Sequence, residues 1–64
     1  MKLTKNELKQ MALKHLILAA NCMADVDDNQ ANEIHQVYVN LRNQDYEGEV
    51  WVDKNYYKIL KPKL

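Results

Sequence analysis

Apolar positions recur at helical spacing from Leu8 to Ala24 and again from Ala31 to Leu41, and that spacing then gives way to the run Val50-Trp51-Val52. In the first stretch Leu8, Met11, Ala12, Leu16, Ala19 and Met23 form one stripe, and Leu13, Ile17, Ala20 and Ala24 form a second beside it, with Leu18 on neither. The clearly polar remainder is Glu7, Gln10, Lys14 and Asn21, a strip narrower than an ordinary surface helix shows. A helix over 5–24 is therefore predicted to be apolar around most of its circumference.

Its start is set locally. Thr4 and Glu7 have the spacing of a capping box, in which each side chain satisfies a backbone N–H of the first turn, and Leu3 and Leu8 have that of a hydrophobic staple. Asp25, Asp27 and Asp28 offer N-caps for a second helix over 28–43, where Ala31, Ile34, Val37, Tyr38 and Leu41 share a face. Arg42 suits the C-terminal end of its dipole. The short link predicts an antiparallel αα-hairpin in which the stripe from Leu8 to Met23 turns inward and the stripe from Leu13 to Ala24 is left over.

After Gly48, the only glycine, Val50-Trp51-Val52 and Tyr56-Tyr57-Lys58-Ile59-Leu60 flank Asp53-Lys54-Asn55. This predicts a β-hairpin with strands at about 48–53 and 56–61, Val52 opposite Tyr57, Asn55 in the turn and Pro62 ending the second strand. The rival is a third helix from Asp53, since Tyr56, Ile59 and Leu60 also suit helical spacing. The expected fold is α+β: one domain over 1–64, a two-helix antiparallel hairpin followed by a C-terminal β-hairpin. The alternative is an all-α three-helix chain.

Chain length sharpens the problem of the first helix. A domain of 64 residues buries only about 60% of its unfolded surface. Its single cysteine, Cys22, leaves no internal disulfide to compensate, and a reducing cytoplasm is the expected setting. The longest uninterrupted apolar run, Leu16 to Ala20, is too short for a signal peptide or a membrane span. Association is the remaining remedy for a small core. The expected homodimer seam is Leu13, Ile17, Leu18, Ala20 and Ala24. Trp51, Tyr56 and Tyr38 are the candidate anchors for another protein, because aromatics concentrate binding energy.

Net charge is zero, but it is segregated: +3 over residues 1–24, −7 over 25–53 and +4 over 54–64. The simplest expectation is that the basic ends fold back on the acidic middle. Trp51, Tyr56 and Tyr57 among Lys54, Lys58, Lys61 and Lys63 have the composition of a nucleic-acid surface. The order helix, helix, hairpin is also similar to part of a winged-helix arrangement, yet residues 29–43 hold one Arg and no Lys, so no basic recognition helix exists.

Site chemistry is sparse. Asp25, Asp27 and Asn29 imitate the start of a calcium loop, but Gln30 stands where Gly is needed and Gln36 where a bidentate Glu is needed. The run from Leu16 to Tyr38 resembles the tellurite-resistance B-like helical family in the character of Asp25, Asp27 and Glu33, with Val26 in place of the usual glycine. His15, Cys22 and His35 lack the spacing of a tetrahedral zinc site, and no nucleophile–base pair or glycine-rich phosphate loop is present. No catalytic residue, metal or cofactor is assigned. The expected function is a small non-enzymatic interaction module: a homodimeric accessory regulator or inhibitor of a cytosolic protein, of the kind found in bacteria, phages and mobile elements. The alternative is a nucleic-acid binder using the basic aromatic C-terminal segment.

Overall fold

The computed structural model describes residues 1–63. In chain order the elements are β1 (Lys2–Thr4), α1 (Lys5–Met23), α2 (Asp28–Arg42), β2 (Glu49–Trp51) and α3 (Lys54–Leu60). The class is α+β: a hairpin of two long helices, a short third helix and a two-stranded antiparallel sheet.

The caps fall where the sequence predicts. Thr4 Oγ1 accepts from Glu7 N at 3.0 Å while Glu7 Oε1 accepts from Thr4 N at 3.1 Å. Thr4 is extended (φ −74°, ψ 153°), so one residue both ends β1 and caps α1. Of the three candidate aspartates Asp27 caps α2, its Oδ1 accepting from Gln30 N at 3.1 Å. The link is closed by Val26 N and Asp27 N, which both donate to Met23 O at 3.0 and 2.9 Å.

One residue of the stripe expected to be left over, Leu13, is buried in the hairpin, while Ile17 and Ala24 of that stripe stay exposed. Leu13 is 5% exposed and Ala31 8%, whereas Leu8, Met11, Leu16, Ala19 and Met23 are each only half-buried. Polar anchors account for the difference. Lys9 lies on the Leu13 side of α1, is 9% exposed, and donates from Nζ to Gln44 O at 2.6 Å. On the same side Asn6 Oδ1 accepts from Tyr46 N at 3.1 Å. The chain leaving α2 is thus tied to the first turns of α1, and α2 is drawn over Leu13. The aliphatic stem of Lys9 is buried with its neighbours while its ammonium reaches a carbonyl.

The antiparallel pairing expected near the C-terminus is present, with a different partner strand. Lys2 pairs with Trp51, Leu3 with Val50 and Thr4 with Glu49. Backbone bonds extend the ladder at both ends, from Val52 N to Met1 O at 2.7 Å and from Lys5 N to Gly48 O at 3.0 Å. Gly48 sits at φ +103°, a conformation open to glycine at little cost. The segment at 56–61, expected as the second strand, is instead helical through Leu60. Asp53 Oδ1 accepts from Asn55 N at 2.8 Å and starts α3, and the helical spacing leaves Tyr57 and Leu60 half-buried with Tyr56 and Ile59 outside. Leu3 and Val52, at 5% and 8% exposure, complete the small core on the inner face of the sheet.

α1 runs between α2 on one flank and α3 on the other. Glu7, Met11 and Lys14 adjoin Tyr57, Lys61 and Pro62, and His15 Nε2 donates to Leu60 O at 2.6 Å. The assembly is flat, 37 × 25 × 14 Å, and its smallest extent is little more than the ~10–12 Å diameter of one helix. Its radius of gyration is 13.3 Å, against about 11 Å for a compact domain of this length. No described side chain is completely buried.

Candidate functional site

Three surface regions gather the residues with binding chemistry. The first is the outer face of the sheet. Strand alternation sends Leu3, Val50 and Val52 inward and Lys2, Glu49 and Trp51 outward. Trp51 is 79% exposed, with Lys2 Nζ 5.9 Å from its ring centroid and 4.0 Å from Glu49 Oε1. Exposed contacts of this kind are weak. The large indole face remains accessible. On α3, Tyr56 and Ile59 lie three residues apart on one side and are 55% and 74% exposed.

The second region is a groove of about 310 Å³ between α1 and α2, lined by Leu16, Ile17, Ala20, Asn21, His35 and Tyr38. Tyr38 is held from both directions along α2: its ring stacks with His35 at 6.0 Å and 16°, and Arg42 lies 5.7 Å from its centroid. Ile17, Ala20 and Tyr38, two of them expected in a dimer seam and one as an anchor, are therefore neighbours. The rest of the expected seam is dispersed. Leu13 is in the core and inaccessible to a partner, Leu18 is half-buried away from the groove, and Ala24 is the exposed C-cap of α1.

The third region is a broad, open groove of about 940 Å³ where the end of α3 crosses α1. His15, Lys58, Ile59, Lys61, Pro62 and Lys63 line it, so it is basic with an apolar floor. The charge segregation seen in the sequence is mostly not neutralised within the chain. Among the described residues the one ion pair is Lys2–Glu49, and no lysine of 54–63 meets an acidic side chain of the middle segment. The acidic turn Asp25–Asp28 is wholly exposed, Val26 included at 75%.

Chemical function is less developed. His15 is engaged with Leu60, His35 stacks on Tyr38 and Cys22 is exposed. Among the described residues no group of three or more His, Cys, Asp or Glu side chains could hold a metal ion, and no helix is long and apolar enough to cross a membrane. Lys9 and Asn6, which anchor the chain after α2, were not singled out from the sequence. The available signal was that Lys9 falls outside the polar strip of its helix. Comparison of the chain with protein-family models, curated proteins and solved structures gave no match.

Proposed function

We propose that this chain is a non-enzymatic, homodimeric interaction module that regulates or inhibits a cytoplasmic protein through the outer sheet face and α3. The observation that supports this reading best is Trp51, 79% exposed on a ribbon whose other face is packed. A soluble monomer seldom leaves so large an aromatic in water beside further exposed apolar groups, and here Tyr56 and Ile59 are exposed too. Capture from the host lysate with wild-type protein and a Trp51→Ala control tests it. Enrichment of a protein by the wild type and its loss with the variant is the expected result; equal recovery by both counts against this surface.

The nucleic-acid reading is favoured by one feature, the lysine-lined groove beside α3. It predicts a salt-sensitive change in Trp51 fluorescence on adding single-stranded or duplex DNA. The exposed acidic turn and the zero net charge work against it, because they repel the same phosphate backbone.

A further inference from the structure

We infer that a second copy of this chain covers the open face of α1, running antiparallel to it, and seats its acidic turn Asp25–Asp28 in the basic groove beside α3. This rests on the homodimer reading and specifies the surface. With α2 along one flank of α1 and α3 along another, the arc between them holds half-buried Leu8, Ala12 and Ala19 and exposed Cys22, is bordered at the α3 edge by His15, which bonds Leu60 O, and is continued by Val26 in the turn. These positions alternate at spacings of four and three, the spacing of a helix–helix seam, and none is buried in the single chain. Alanines at positions 12 and 19 permit close approach of another helix.

Charge identifies the occupant and its direction. The turn carries Asp25, Asp27 and Asp28 around an exposed Val26; the groove carries Lys58, Lys61 and Lys63 around Ile59 and Pro62. Each surface offers what the other lacks, and the chain itself does not bring them together. A parallel pair would set like charges side by side. In an antiparallel pair crossing at Ala19, facing positions sum to 38, so residues 24–28 of one copy lie opposite residues 10–14 of the other. Lys61 and Pro62 of α3 adjoin that stretch of α1. Twofold symmetry makes the contact twice.

Charge reversal tests the pairing without relying on one variant. Asp25→Lys/Asp28→Lys leaves the Asp27 cap intact, and Lys58→Glu/Lys61→Glu reverses the groove. Each variant alone should dimerise at least about tenfold more weakly than wild type in sedimentation, because like charges then face each other at both contacts. Mixed, the two should form a heterodimer of near wild-type affinity, since opposite charges meet at both contacts again. In a Cys22→Ser background, Ala19→Cys should give an intermolecular disulfide under mild oxidation faster than Ile17→Cys, which lies toward α2. A monomeric wild type overturns both this inference and the homodimer reading. A dimer that crosslinks through Ile17→Cys, or a mixture that stays monomeric, overturns this surface alone, as does uptake of duplex DNA that leaves the charge variants equally dimeric.

Discussion

On its α2 side, α1 buries Leu13 and Lys9 and is stitched to the following chain through Lys9 to Gln44 and Asn6 to Tyr46. On the far side, Leu8, Ala12 and Ala19 are only half-covered, and Cys22 and Val26 are exposed. Apolar content alone does not separate the two sides, because Leu16 lines the groove against α2 while Leu8 stays half-covered on the far side. Where a helix is apolar nearly all round, burial by itself selects no orientation. A few directional polar contacts with fixed partners then decide which stripe turns inward.

The contrast is broken most severely at Leu13. Leu13→Ala should cost about 2–5 kcal/mol in urea unfolding, much of the stability available to so small a domain. Leu8→Ala, on the open side, should cost clearly less at concentrations where the chain is monomeric. Equal losses would show that the two sides are not distinct. Lys9→Met keeps the aliphatic stem and removes the donor to Gln44 O; a loss of about 1–3 kcal/mol is expected, from the same unfolding measurement. Thr4→Ala removes the hydroxyl of the capping box and should cost about 1 kcal/mol, visible also as reduced helicity in far-UV circular dichroism. Trp51→Ala should change stability by no more than about 1 kcal/mol, since the side chain is exposed, while abolishing partner capture.

Local signals in the sequence were read correctly, and so was the pairing of the two long helices. Thr4 with Glu7, the aspartates before α2 and Arg42 at its end locate both long helices, because capping depends on residues within one turn. Val50 and Val52 facing opposite to Trp51 was legible for a similar reason: strand alternation is intrinsic. The partner of β2 was not. Met1 to Thr4 is a very short alternating run, and nothing near it in sequence announces pairing with residues 49–52. Asn55 suits a turn, and Tyr56 and Ile59 suit a strand or a helix; in the structure Asp53 caps the segment and it is helical. Of the expected binding residues, Trp51 and Tyr56 are exposed and Tyr38 lines a groove. Leu13, expected in the dimer seam, is buried within the single chain, on the side of α1 where Lys9 and Asn6 bond partners beyond the second helix.

The most direct test of the two-sided helix is a residue-resolved dilution series by heteronuclear NMR on the wild-type chain. Concentration-dependent shifts are expected at Ala12, Ala19, Cys22 and the Asp25–Asp28 turn, with the methyl groups of Leu13 unchanged. Spectra that do not move on dilution in a chain of monomer mass, or shifts confined to Ile17 and Tyr38, would contradict it.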